Sequence, residues 1–212
     1  MSDKRILGIY GILPADLERD DLLIRAEAAL KGGVKTLQFR DKKQAYKHQL
    51  RRGKALRELT ARYDAKLIVN DSIQLARESE ADGVHLGKGD IENLAMVRHD
   101  VGSELILGVT CRADAAFGKH ALENGADYLS FGAVFPTSSK PEVPTIGLPR
   151  LQKARQLFPE ANIVAIGGIT QEAISAVKST GVDSAAVISG LFAADDVEST
   201  AREMCKAWGD KT

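Results

Sequence analysis

Short β-type apolar runs recur along the whole chain, at Leu7–Leu13, Thr36–Arg40, Lys66–Asn70, Gly83–Gly87, Leu105–Thr110, Tyr128–Val134, Ile163–Gly168 and Ala185–Ser189. Between them the apolar residues fall at helical spacing: Leu56, Leu59 and Tyr63 share one face, as do Val197, Ala201, Met204 and Trp208. The turns Gly125-Ala126-Asp127 and Gly181-Val182-Asp183 precede two of the runs, and a glycine there ends a helix with a left-handed residue. Strand and helix alternating eight times predict a parallel α/β sheet with right-handed crossovers. Eight units suit a closed (β/α)8 TIM barrel, one domain spanning 1–212 near the compact end of its size range. An open doubly wound sheet is the alternative, but it needs edge strands, and no run is clearly polar on both sides. The exceptional connection is Phe135–Gly147, which carries Pro136, Pro141 and Pro144 and no helical pattern. A loop of that length after the sixth strand is expected to be functional.

Composition narrows the partners. The 29 basic side chains balance 29 acidic ones, for a formal net charge of zero. That balance argues against nucleic acid or an anionic membrane as a partner. No apolar stretch approaches a membrane span, and the run after Met1-Ser2-Asp3-Lys4-Arg5 is too short for a signal peptide. The two cysteines, Cys111 and Cys205, imply no disulfide framework. The expectation is a reduced, cytoplasmic protein; a homo-oligomer is compatible with the sequence.

In a barrel the chemistry sits at the C-terminal ends of the strands. Asp71 and Asp90 each close such a run, 19 residues apart, about one strand–helix–strand unit. Each could cap the helix that follows. Together on one rim they could hold Mg²⁺, the usual handle on a diphosphate. After the second strand comes Gln38-Phe39-Arg40-Asp41-Lys42. Alternation puts Gln38 and Arg40 on one face and turns Phe39 toward the helices. An inward Arg is costly unless an anion partners it, and the bland partner is Asp41. Thr110 offers a hydroxyl. Cys111 has no histidine placed to activate it and reads as a small buried side chain. His85 reads as packed in mid-strand; His48, His99 and His120 read as superficial. Thr137, Ser138, Ser139 and Lys140 in the long loop suit an anion. Gly168 at one strand end and Ile188-Ser189 at the next suit a monophosphate bound by backbone amides. The rim thus offers one metal site and two anion sites, with no convincing base or nucleophile between them. A diphosphate gripped without a nucleophile suggests that the diphosphate itself leaves, and that a second, phosphorylated substrate accepts.

This constellation resembles the thiamine phosphate synthase (thiamine phosphate pyrophosphorylase) family. The resemblance runs from about Tyr10 to Phe192 and rests on Gln38-Phe39-Arg40-Asp41-Lys42, Val69-Asn70-Asp71, Gly83-Val84-His85-Leu86-Gly87 with Asp90, Gly108-Val109-Thr110, Pro136-Thr137-Ser138-Ser139-Lys140, Ile166-Gly167-Gly168-Ile169 and Ile188-Ser189, in family order. It implies that hydroxymethylpyrimidine diphosphate loses pyrophosphate and that the nitrogen of a thiazole phosphate, plain or carboxylated, attacks the exposed methylene. The resemblance places Mg²⁺ on Asp71 and Asp90. It places the pyrimidine diphosphate on the segment Gln38, Phe39, Arg40, Asp41 and Lys42 with Asn70, Thr110 and Lys140, of which Arg40, Lys42, Lys140 and Thr110 serve the chemistry. It places the thiazole phosphate on Thr137, Ser138, Ser139, Gly168, Ile188 and Ser189. The implied partners are these small molecules. Lys88 stands where the family commonly has Gln, as an extra cation that would compete with Mg²⁺ or help hold pyrophosphate. Ser139 stands where Thr is frequent, Thr110 where Ser is, and Arg112 where His is, and Gly11-Ile12-Leu13-Pro14 lacks a frequent acid. Two rival readings are a thiazole tautomerase-type barrel, which would not need the diphosphate grip, and a non-catalytic binder of thiamine precursors.

Overall fold

The computed structural model describes residues 3–91, 93–137 and 144–209, with Asp90 described in its backbone only. Eight parallel strands close into a barrel in chain order. They are β1 (Gly8–Ile12), β2 (Thr36–Phe39), β3 (Lys66–Asn70), β4 (Gly83–Leu86), β5 (Ile106–Arg112), β6 (Tyr128–Gly132), β7 (Asn162–Ile166) and β8 (Ser184–Val187). The helices outside them are α1 (Arg19–Lys31), α2 (Tyr46–Arg62), α3 (Ile73–Glu78), α4 (Leu94–Val101), α5 (Ala115–Glu123), α6 (Gly147–Leu157), α7 (Ile174–Lys178), α8 (Ser189–Phe192) and α9 (Val197–Trp208). The expected barrel is therefore the observed fold. Strand β1 closes against β8 with Tyr10 opposite Ala186. The open doubly wound sheet is ruled out by that closure.

Side chains alternate across each strand, so the molecule has two apolar layers. Tyr10, Ile12, Ile68, Ile106, Tyr128, Val164 and Ala186 fill the barrel. Their strand neighbours Ile9, Leu37, Leu67, Leu107, Leu129, Ile163 and Ala185 pack outward against the helices. The helical faces expected from sequence are the buried ones: Leu56 and Leu59 on α2, and Val197, Ala201, Met204 and Trp208 on α9.

A repeated device fixes where β4, β6 and β8 begin. Asp82, Asp127 and Asp183 each stand just before an even strand. Each carboxylate accepts a backbone N–H from the preceding strand, of Leu67 at 2.7 Å, Leu107 at 2.7 Å and Ile163 at 2.8 Å. Each also holds an arginine from the helix that leads into that preceding strand: Arg57 of α2, Arg98 of α4 and Arg155 of α6 respectively. The Gly-x-Asp turns thus act twice. Gly125 and Gly181, both at φ 85°, end the helix, and the aspartate then sets the register.

Several strand ends differ from the sequence expectation. Strand β7 stops at Ile166 because Gly167 and Gly168 take φ 103° and 64°, outside any extended conformation. Strand β5 runs on to Arg112 through a register shift between Thr110 and Arg112. Strand β6 ends at Gly132, and the backbone continues beside β7 through Val134 N–H to Ile166 O at 2.9 Å.

Candidate active site

A cavity of about 460 Å³ opens at the C-terminal mouth of the barrel. Gln38, Arg40, Asn70, Thr110, Thr137 and Ile188 all line it, so residues from four strand ends and the long loop meet around one space. The cations Arg40, Lys43 and Arg112 stand in its wall with one acid, Asp16. That imbalance inside a concave, partly apolar wall favours an anionic ligand. A larger cleft of about 640 Å³ lies at the other end, beside Thr36 and Lys66, which begin β2 and β3. Its lysines are spent on the fold: Lys35 donates to Tyr63 O and Lys66 to Arg5 O, each at 2.7 Å. The mouth, where strand ends and loops converge, is the candidate site.

Asp71 sits on the rim just after β3, at φ 65°, with its N–H donating to His85 O at 2.9 Å. Ser72, not Asp71, caps α3, accepting from Leu75 N–H at 3.1 Å. Asn93 likewise caps α4, so Asp90, which ends a 3-10 turn at Lys88–Asp90, is not that cap. The side chain of Asp90 lies outside the described residues. The Asp71 carboxylate already takes a cation, the Lys42 ammonium at 2.6 Å. A hard anionic oxygen that is reachable from solvent and attracts a cation fits Mg²⁺. Among the described residues no three His, Cys, Asp or Glu side chains form a metal-binding group.

Lys88 reaches along the rim to the loop after β5. Its ammonium pairs with Asp114 at 2.8 Å and lies 4.9 Å from the centre of the Phe117 ring. The Lys88 hydrogen bond, helped by the Phe117 backbone N–H, holds the Asp114 carboxyl below its ordinary range.

The motif after β2 is not all site. Phe39 is buried among the helices, in the outer layer, and does not line the cavity. Asp41 faces away from the cavity: its carboxylate pairs with Arg52 of α2 at 2.6 Å, both side chains almost fully buried. It further accepts from Lys43 and Gln44 N–H at 3.1 Å. Arg52 donates in addition to Leu17 O, so Asp41 ties the β2 loop to α2 and to the loop after β1. Breaking such a buried pair leaves an uncompensated charge. Asp41 is therefore not the partner of Arg40, which stays available to a ligand in the cavity wall. Lys42 turns to Asp71, and Lys43 takes the place in the wall.

The loops after β6, β7 and β8 touch. Phe135 N–H donates to Gly167 O at 3.0 Å. A Cβ on Gly168 would stand 2.3 Å from Pro136 O, so only glycine lets these loops close on each other, quite apart from its positive φ. A Cβ on Gly190 would meet Ile169 O at 2.6 Å. Gly168 thereby packs against Pro136, next to Thr137, and Thr137 and Ile188 line the same cavity. Ser138, Ser139 and Lys140 lie outside the described residues.

The cavity floor carries residues that attention to strand ends overlooks. Tyr10, His85 and Ser130 line it, and Tyr128 is packed behind them. Alternation accounts for three of them: Tyr10 is an even step inward from Ile12, and Ser130 and Tyr128 from Gly132, whereas His85 is the β4 residue in the lining. Gly108 makes the room, because a Cβ there would stand 2.0 Å from the Tyr128 ring. His48, His99 and His120 are exposed, as expected.

Cys111 faces the outer layer, 1% exposed, and is absent from the cavity wall. Burial, more than the nearby Asp114 charge, pushes its thiol up to about 12. A thiolate would form only above that pH, so at pH 8 the group is inert. Native protein at pH 8 is expected to leave Cys111 unlabelled by iodoacetamide on a timescale at which denatured protein is fully labelled, read by peptide mass. Rapid native labelling would contradict this placement.

A model of the thiamine monophosphate synthase family matches residues 9–191. The chain is 40% identical over 198 residues to a thiamine-phosphate synthase of Methylobacillus flagellatus, covering 93% of each chain. It is 41% identical over 204 residues to the one of Thioalkalivibrio sulfidiphilus, covering 95% of each. The solved thiamine phosphate pyrophosphorylase from Pyrococcus furiosus superposes with a TM-score of 0.86 at 33% identity, over 97% of both chains.

Proposed function

The chain belongs to the thiamine monophosphate synthase family, and we propose that it joins a hydroxymethylpyrimidine diphosphate to a thiazole phosphate, giving thiamine phosphate and pyrophosphate. It is a transferase, working as one barrel domain in a reduced, cytoplasmic setting. Both cysteines are buried, which suits that setting; no helix among the described residues is long and apolar enough to cross a membrane.

The observation that carries the reading is the character of the cavity. Its wall has Arg40, Lys43 and Arg112 for an anion and Gln38, Asn70 and Thr110 for a polar ring, with no cysteine among its described lining residues. Cys111 is outside it, and both nitrogens of His85 are hydrogen-bonded. Such a site can orient two substrates and stabilise charge. The methylene C–O bond breaks and its electron pair leaves with pyrophosphate. The thiazole nitrogen lone pair then forms the C–N bond. The pyrimidine amino group stabilises the intervening cation, so no enzymic base is required. Arg40 and the Lys of the long loop, Lys140, neutralise the departing diphosphate, with Lys42 at the rim. Thr110, Gln38 and Asn70 hold the pyrimidine. Thr137, Ser138, Ser139, Gly168, Ile188 and Ser189 hold the thiazole phosphate. Asp71 and Asp90 would hold Mg²⁺, which when bound offsets the diphosphate charge.

The test is metal dependence of product formation. Chelation should abolish thiamine phosphate formation and added Mg²⁺ should restore it, followed by mass spectrometry of the product. Conversion of thiazole phosphate to an isomer with no ring joining would favour a tautomerase instead. A further expectation follows from the Lys88–Asp114 pair. Exposed ion pairs are worth little, so Lys88→Gln should change turnover and the Mg²⁺ requirement by less than about fivefold. A large shift in the Mg²⁺ needed for half-maximal rate would mean that Lys88 faces the metal.

A further inference from the structure

A continuous chain of hydrogen bonds crosses the barrel floor. Gln38 Nε2 donates to the Tyr10 hydroxyl at 2.8 Å, and that hydroxyl meets the Tyr128 hydroxyl at 3.1 Å. The Tyr128 hydroxyl meets His85 Nδ1 at 2.8 Å, and His85 Nε2 meets the Thr110 hydroxyl at 2.7 Å. The Ser130 hydroxyl also donates to Thr110, at 3.4 Å. The His85 ring stacks on Tyr128 at 5.4 Å, which fixes its plane.

The hydrogens in this chain have one consistent direction. Tyr10 and Tyr128 are fully buried, and desolvation raises both phenols well above their ordinary range, so each keeps its single proton. Tyr10 already accepts from the Gln38 amide, so its hydrogen goes to Tyr128. Tyr128 then gives its own hydrogen to His85 Nδ1. The reverse order would leave the Tyr10 hydrogen buried without a receiver, which costs about 1–3 kcal/mol. With Nδ1 accepting, the ring hydrogen of neutral His85 is on Nε2, and it is donated to Thr110. Thr110 Oγ1 thus accepts from His85 and from Ser130, and both lone pairs are used. Its own hydrogen is the one function left, on a side chain that lines the cavity.

We propose that His85 is a positioning residue, held as the Nε2–H tautomer, that turns the Thr110 hydroxyl hydrogen into the cavity as an obligate donor. The other end of the chain is complementary. Gln38 gives one of its two amide hydrogens to Tyr10, which fixes the amide plane and leaves its carbonyl oxygen as an acceptor in the same wall. The floor therefore presents an acceptor at Gln38 and a donor at Thr110, the pattern for a ligand carrying an amino group and, across from it, a ring nitrogen or an anionic oxygen. An aminopyrimidine diphosphate has both; assigning it as the ligand rests on the function proposed above.

The tautomer can be read without any substrate. Two-bond ¹⁵N–¹H correlation spectra of the full chain, with His85 assigned by comparison with His85→Gln, should show an unprotonated Nδ1 and a protonated Nε2. A protonated Nδ1 in the neutral ring would overturn the proposal. The coupling is read by calorimetry with hydroxymethylpyrimidine diphosphate. His85→Phe keeps the ring stack and should weaken binding about tenfold, while thiazole phosphate affinity is unchanged. His85→Gln, which keeps a donor near Nε2, should recover most of the loss. In a Thr110→Val background, His85→Phe should cost little more, because it acts through the Thr110 hydroxyl. Full additivity of the two losses would overturn it. The Nε2–H tautomer in a protein that binds no pyrimidine diphosphate at all would leave the floor as described and count against the proposed function instead.

Discussion

Asp71→Asn is expected to lower turnover by about a thousandfold while thiazole phosphate affinity stays within about threefold of the unchanged protein. The substitution keeps the shape of the side chain and removes its charge. Two interactions go with that charge. One is the Lys42 ammonium at 2.6 Å, whose side chain is 54% exposed. A pair that open to solvent contributes little to folding, so the melting temperature should move by no more than about 2 °C. The other is the cation proposed to sit on the departing diphosphate, and that is where the large loss arises. The thiazole phosphate residues proposed on Gly168, Ile188 and Ser189 follow β7 and β8, remote from Asp71 after β3. Steady-state kinetics with calorimetry of thiazole phosphate separates the two. Equal losses in turnover and in thiazole phosphate affinity would contradict a metal role for Asp71.

Gly108→Ala is expected to damage both the fold and the pyrimidine site. A Cβ at this position stands 2.0 Å from Cζ and 2.4 Å from the hydroxyl of Tyr128. The ring cannot yield freely, because it is fully buried and hydrogen-bonded to Tyr10 and His85. Forcing a methyl into a packed core costs about 1–3 kcal/mol, or roughly 3–10 °C in melting temperature for a chain of this size. Displacing Tyr128 also removes the hydrogen that orients His85, so pyrimidine diphosphate affinity should fall about tenfold in the protein that remains folded. Differential scanning calorimetry and ligand titration check the two parts. Unchanged stability with unchanged affinity would mean that the Tyr128 ring does not occupy the space beside Gly108.

The barrel was legible because its strands are buried on both faces and so stand out as apolar runs, separated by helices with one apolar face. Their ends were less legible, since they depend on backbone conformations such as Gly167 and Gly168 at positive φ. In the site, alternation points to Gln38 and Arg40, and position at a strand end to Asn70 and Thr110; all four line the cavity. Phe39 and Asp41 were drawn in by contiguity with them, although alternation alone turns Phe39 outward. Asp41 could not be separated by any local rule, because its partner Arg52 comes from the next helix. Lys88 shows the same limit: two residues from Asp90 in sequence, it reaches Asp114, 26 residues on. Tyr10 and Tyr128 lie in mid-strand, below the rim, where no local feature marks them as part of a cavity; His85, read as packed, is buried and also lines the floor.

The central claim, that this barrel joins two rings with pyrophosphate as the leaving group, is tested most directly by one assay. Full-length protein is incubated with Mg²⁺, hydroxymethylpyrimidine diphosphate and thiazole phosphate, and both products are quantified. The account predicts thiamine phosphate and pyrophosphate in equal amounts, each dependent on both substrates. Thiazole phosphate that binds while no pyrophosphate is released would contradict it.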